Sequence, residues 1–257
     1  MGERSRRLGA VLGLWAAAAL VAGAAAAAEP NVKSIAVGLT YENLARTVVW
    51  KGDAASSRIG GQLISARADL VLTKGAVLSL SAGAVLTDFR GLTFSGLPIS
   101  LEYDAAPLLG LAFGAEVVAP LAGFSGFEIG GTGRIVYSFG MSKTWPLEGF
   151  MVEGGAEGRS SWLEVAAGPR LTYRKLRRAA PYLEVQARWL RAAFKMAETI
   201  GDLAGSEAKH AGDLSFSAAL GADVALTGRL SLRAKAGVSP RPGGLDGLFS
   251  AGLACAF

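Results

Sequence analysis

Any chemistry in this chain would have to come from a short inventory. One histidine, His210, lies in the polar run Glu207-Ala208-Lys209-His210-Ala211-Gly212-Asp213. A general base needs its partner within hydrogen-bond reach. Asp88, Asp104, Glu207 and Asp213 could supply a carboxylate, but no spacing assigns any of them to the histidine. The single cysteine, Cys255, excludes an intramolecular disulfide and any CxxC metal site. No Gly-rich phosphate loop, metal-ligand cluster or Gly-x-Ser-x-Gly elbow occurs. The sequence therefore assigns no catalytic residues, no cofactor and no metal, and a non-enzymatic role is favoured.

A second set of polar residues is more regular. Seven acids, Glu42, Asp69, Glu116, Glu128, Glu164, Glu184 and Asp223, alternate with apolar neighbours. So do seven bases: Arg67, Arg134, Arg170, Arg174, Arg188, Arg233 and Lys235. Charges withdrawn from water persist when paired and hydrogen-bonded. Equal numbers on rows that share one face predict a network of ion pairs rather than a path for ions or protons.

The elements that must position them are strands. Residues 33–44 put Ile35, Val37, Leu39 and Tyr41 on one face and Ala36, Gly38, Thr40 and Glu42 on the other, the period of a strand. The same alternation predicts strands over 59–73, 76–87, 108–119, 127–143, 161–174, 182–195, 213–227, 230–239 and 248–257. Pro169 cannot donate to a ladder, so a bulge or local break is expected there. Connections alternate between long (45–58, 88–107, 144–160, 196–212, 240–247) and short (74–75, 120–126, 175–181, 227–229). Ten strands result; eight follow if a pair near Pro169 or 229–239 is not formed. The loop 88–107 carries an apolar surplus in Phe89, Leu92, Phe94, Leu97, Ile99, Leu101 and Tyr103. Such a surplus could fold over a mouth, meet a partner or touch lipopolysaccharide.

Composition narrows the setting. The chain begins with Arg4, Arg6 and Arg7, an apolar run over 8–28 and the small residues Ala26-Ala27-Ala28, the pattern of a cleaved signal peptide. The domain reading is thus 1–28 signal peptide and 29–257 one barrel domain. Without residues 1–28 the charge falls from +5 to about +3, with bases and acids interleaved, which is no nucleic-acid footprint. Mean hydropathy is +0.36, yet no later apolar run reaches the roughly 20 residues of a spanning helix. Half-apolar strands of a transmembrane barrel produce that combination.

The last strand puts Phe249, Ala251, Leu253, Cys255 and Phe257 on one row and stops on an aromatic residue. With the export signal and the strand pattern, it resembles the closing strand of small bacterial outer-membrane β-barrels over residues 33–257. The resemblance implies an all-β, antiparallel up-and-down transmembrane barrel, integral to the outer membrane of a Gram-negative cell. It also implies Phe249, Leu253, Cys255 and Phe257 as an assembly signal read by the barrel-assembly machinery after periplasmic chaperones. Outer-membrane lipid and lipopolysaccharide are the expected surroundings, and the barrel is expected to be a monomer. Two interfacial girdles are expected, Trp50, Trp145 and Trp162 at the outer ends and Tyr173, Tyr182 and Phe257 at the inner; Trp189 fits them less well. Omptin proteases pair their histidine with an aspartate two residues earlier, here Ala208, and lipid A deacylases use His-x-Ser, here ending in Gly212. Neither pattern carries over. The expected role is structural or surface-interacting, with a side-chain-filled lumen. The alternatives are an enzyme at the mouth (protease or lipid A-modifying) or a narrow small-solute channel.

Overall fold

The computed structural model describes residues 32–51, 56–72, 75–98, 101–147, 154–241 and 244–257, with backbone alone for 101–106. The expected signal peptide, 1–28, lies outside the described residues. The described chain is an antiparallel sheet of eleven strands: β1 (Val32–Val49), β2 (Ser56–Leu72), β3 (Val77–Phe94), β4 (Leu101–Phe124), β5 (Phe127–Gly140), β6 (Lys143–Pro146), β7 (Gly154–Tyr173), β8 (Ala179–Ile200), β9 (Leu203–Ala225), β10 (Leu230–Arg241) and β11 (Gly244–Ala256). Neighbours in sequence pair except β5 and β6, which both pair β7, and β1 also pairs β11, so the sheet closes on itself. β5 and β6 lie end to end along β7. Eleven strands with two sharing one position leave a ring of ten.

Closure pairs the strand edges around the lower part of the ring, which hydrocarbon demands because it offers no hydrogen bonds to a backbone. The outer row supplies the matching surface: Leu39, Ile64, Leu220 and Leu253 are exposed by 66, 62, 67 and 50%. Such exposure in water would be costly; facing lipid, it is the favourable arrangement.

The strands are far longer than alternation in the sequence suggests. β4, β8 and β9 run for 24, 22 and 23 residues, whereas a tilted strand crosses a bilayer in about 9–11. The expected long loops 45–58, 88–107, 144–160, 196–212 and 240–247 are therefore corrected: most of their described residues are strand. Along β8 the outward residues change from Leu183, Val185 and Trp189 to Arg191 and Lys195, while the inward ones change from Glu184 and Arg188 to Leu190, Phe194 and Met196. The period of two continues, but its polarity inverts once the outside is water.

Two bulges set this upper half. Gly91 adopts a positive φ of 70° and the β3–β4 register shifts between Phe89 and Leu92. One extra residue swaps the faces, so Leu92 and Phe94 join Phe89 inside. Between Gly140 and Lys143 the register on β7 also slips by one, and Trp145 comes to lie opposite the inward Ala156. Trp50, Trp145 and Trp162 thus face inward rather than forming an outer girdle, and Tyr182 is buried inside too. Among the described tryptophans Trp189 is the outward one, at the level where the outer surface turns charged. At the opposite end Phe124, Phe127 and Tyr173 do form an outward aromatic group, with ring centroids 5.9 and 5.0 Å apart.

Short connections follow simple turn chemistry. Ser125 (φ 46°) and Gly126 (φ 88°) make a two-residue primed turn directly between β4 and β5. Pro169 interrupts the β7–β8 ladder between Ala167–Ala187 and Arg170–Glu184, yet the register is unchanged on either side. The missing N–H produces a break without a bulge.

Candidate functional site

The interior divides into two layers. The lower layer, near the end where the Phe257 N–H donates to the Ile35 carbonyl, is ionic. Arg67 donates to Asp69 at 2.6 Å, to Glu116 at 2.9 Å and to the Ser79 hydroxyl at 2.7 Å, tying β2, β3 and β4 together. Arg134 of β5 reaches Glu42 of β1 across the lumen. Arg188 holds Glu164 at 2.5 Å, with both side chains less than a tenth exposed. Asp223 accepts from Arg170 and Arg233, each at 2.6 Å, and Lys235 donates to Glu184 at 3.2 Å. The Arg170 guanidinium lies 3.5 Å from the centre of the Tyr182 ring, a cation–π stack. Glu128 and Arg174 pair at 2.7 Å at the lip, half open to solvent on the arginine side.

All fourteen charged residues singled out in the sequence therefore sit in ion pairs on inward rows or at the lip. Reading the sequence missed further pairs higher in the barrel: Arg46 of β1 with Asp213 of β9 at 3.1 Å, Lys209 with Glu207 at 3.7 Å and Arg241 with Asp246 at 3.5 Å. Arg46 continues the inward row of Glu42 by two steps of two, and that periodicity could have found it.

The upper layer is an apolar plug. Phe89, Phe94, Leu92 and Phe194 are wholly buried, with Trp50, Ile59, Leu108 and Met196 beside them. Phe194 meets Phe89 edge-on at 4.9 Å and Phe94 at 5.6 Å. The Trp162 indole N–H donates to the Thr87 hydroxyl at 3.3 Å, so its polar atom is satisfied. The apolar stretch for which the sequence left open the mouth, a partner or lipopolysaccharide thus places Phe89, Leu92, Phe94 and Leu97 in the interior. Ile99 lies outside the described residues, and the side chains of Leu101 and Tyr103 are not described. Cavities left in the ionic layer measure about 80, 20 and 10 Å³, room for a few waters.

His210 is exposed on the outer row of β9. The carboxylates that might have served it are engaged elsewhere. Asp213 binds Arg46, Asp88 lies 3.5 Å from Arg90, and Glu207 accepts from the Gly96 N–H at 2.8 Å. The side chain of Asp104 is not described. Among the assembly residues, Phe249, Leu253 and Phe257 are exposed on the outer row, with Cys255 partly buried between its neighbours Val37 and Leu230.

No family model matches the chain, and no curated protein matches it. Solved structures do. The translocator domain of autotransporter NalP from Neisseria meningitidis is similar with a TM-score of 0.51 at 9% identity, covering 98% of each chain. The outer-membrane protease OmpT from Escherichia coli gives 0.49 at 10%, covering 89% of this chain and 98% of that one. Ail, the attachment invasion locus protein of Yersinia pestis, gives 0.35 at 12%, covering 87% and 97%. At such identities the likeness concerns fold and not activity. Closed antiparallel topology and an outward apolar belt make the chain a β-barrel with a lipid-facing wall, and the likeness to the NalP translocator domain shows the same outer-membrane barrel fold.

Proposed function

We propose that this barrel is a closed body with a structural or surface-interacting role, not a conduit. The observation that carries the reading is the doubly filled interior: an ion-pair network below and a plug of buried aromatic and aliphatic side chains above. A wide diffusion pore needs about 16 strands or more, and a ring of ten is filled by its own side chains. In this reading the outer belt is solvated by outer-membrane lipid and lipopolysaccharide, and the strand extensions beyond the membrane present the surface that partners meet. Residues 1–28 direct export, chaperones and the assembly machinery deliver the chain, and it works as a monomer. The engaged carboxylates around His210 argue against a histidine-dependent enzyme.

The test is electrical. Reconstituted in planar bilayers, the protein should give no discrete conductance steps. Reproducible steps would overturn the proposal and favour a narrow channel.

A further inference from the structure

The two ends of the barrel differ in how their charges are answered. Towards the upper end the signs are mixed: Asp213, Asp88 and Asp246 lie beside Arg46, Arg90 and Arg241. At the lower end Lys33, Arg174, Lys175, Arg177, Arg178 and Arg229 are all exposed. Among the described residues of that lip the one acid is Glu128, and Arg174 already holds it at 2.7 Å. Four of the bases come from a single turn, Arg174-Lys175-Leu176-Arg177-Arg178, which joins β7 to β8. Backbone bonds fix this turn at both ends. The Arg174 N–H donates to the Gly126 carbonyl and the Ala225 N–H to the Arg178 carbonyl, each at 2.8 Å. Its cations are thus held close together although like charges repel.

The turn borders a hollow of about 350 Å³ in the lower mouth. Arg174, Arg177 and Arg178 line it beside the half-exposed Leu176, and Asp223 and Ser231 form its floor. Both floor residues also line the largest cavity of the ionic layer, so the hollow opens from the lumen and not from the lipid-facing wall. The floor carries no surplus of negative charge. Its carboxylate, Asp223, is shared by Arg170 and Arg233 at 2.6 Å each, whereas Arg67 deeper in the layer is shared by Asp69 and Glu116. The cationic side of the network therefore faces the mouth. Ion pairs and then the apolar plug close the hollow from above, which makes it a blind recess. Among the described residues the bases of its lining are all arginines. A guanidinium fork takes a phosphate or a carboxylate through two parallel hydrogen bonds. A lipid headgroup would meet the outward face instead, where Phe124, Phe127 and Tyr173 stand at this level.

We propose that the lower mouth binds a soluble multivalent anion, a compound carrying several phosphate or carboxylate groups. It sits between the arginines of the β7–β8 turn and the floor where Arg170 and Arg233 share Asp223. The site goes beyond the closed-body role and stands apart from it, since conductance and anion binding are measured separately.

The protein, purified from membranes in a neutral detergent, is titrated calorimetrically with inorganic triphosphate and with citrate at physiological ionic strength. One equivalent of at least one of them should bind. Arg177→Gln with Arg178→Gln should weaken that binding about tenfold or more, the loss expected when charge-assisted contacts are removed. Arg191→Gln with Lys195→Gln removes the same charge from exposed positions towards the other end and should leave binding unchanged. Ala180→Glu puts a carboxylate into the lining opposite Asp223 and should block the anion with every arginine retained. Heat-modifiable migration shows which variants are folded, and either the turn variant or Ala180→Glu suffices. No binding of either anion to the parent would overturn the site. Equal weakening by the two double variants would reduce it to diffuse charge, and binding that survives Ala180→Glu would put the anion outside the hollow; each overturns the proposal. Displacement of the anion by short-chain phosphatidylglycerol, lost with the same two arginines, would assign the site to a lipid headgroup and overturn the soluble ligand.

Discussion

Arg134 and Arg170 are both interior and both ion-paired, yet they should not be equally replaceable. Among the described residues, Glu42 has Arg134 as its ion-pair partner, whereas Asp223 keeps Arg233 at 2.6 Å when Arg170 is removed. Arg134→Leu should therefore cost about 3–5 kcal/mol, the range for leaving a buried charge uncompensated. Arg170→Leu should cost about 1.5–3 kcal/mol, the range for one hydrogen bond to a charged group. Urea midpoints of the refolded barrels measure both, and equal midpoints would contradict the network as drawn. His210→Ala is the contrasting case. The side chain is exposed on the outer row, so stability should change by less than about 0.5 kcal/mol, with membrane yield and surface phenotype unaltered. Loss of a measurable hydrolytic activity in the folded variant would revive the enzyme alternative.

At the scale of elements, what matters is how two strand extensions turn their apolar side chains inward. β3 does so through the Gly91 bulge, and β8 through uninterrupted alternation. Gly91 holds a φ of 70°, a region that costs a side-chain-bearing residue roughly 1–2 kcal/mol. Gly91→Ala should lose about that much, and more if the bulge shifts and swings Phe94 out of the plug. Phe194→Ala removes the ring that Phe89 and Phe94 both contact and should cost about 3–5 kcal/mol. Its neighbour Lys195 faces outward, so Lys195→Ala serves as the control and should be near neutral. Chemical unfolding followed by tryptophan emission distinguishes them, because Trp50 and Trp162 sit in the same plug.

For the molecule as a whole, Phe257 separates the making of the barrel from its keeping. Its backbone N–H closes β11 onto β1 at 2.9 Å, but its side chain is 84% exposed. Native packing therefore gains little from the ring itself. Phe257→Ala should leave the stability of protein refolded in detergent within about 0.5 kcal/mol of the parent. In cells the same change should cut the folded, membrane-inserted fraction, if the ring is read during assembly. Equal membrane yield, measured by heat-modifiable migration in outer-membrane fractions, would remove Phe257 from the assembly signal.

The sequence by itself determined the period-two alternation, the outward belt, the terminal strand and the balanced inward charges, because each follows from the residues of one strand taken alone. Glu42, Arg67 and Glu116 were legible as inward in this way. Only the tertiary structure decided that Arg67 meets both Asp69 and Glu116, or that Arg134 spans the lumen to Glu42. Such partners lie on other strands, and barrel stagger sets which ones coincide in height. The upper half was hidden for a different reason. Alternation reports two faces, but which face is interior depends on the solvent outside. Apolar residues face out in lipid and in above it, so Phe89, Phe94 and Trp50 looked like loop or girdle residues. The bulges at Gly91 and between Gly140 and Lys143 then exchanged the faces again. Trp50 of β1 bridges Ala211 of β9 above the β10–β11 hairpin because four strands of unequal length are neighbours in the ring, a relation that closure of the sheet creates.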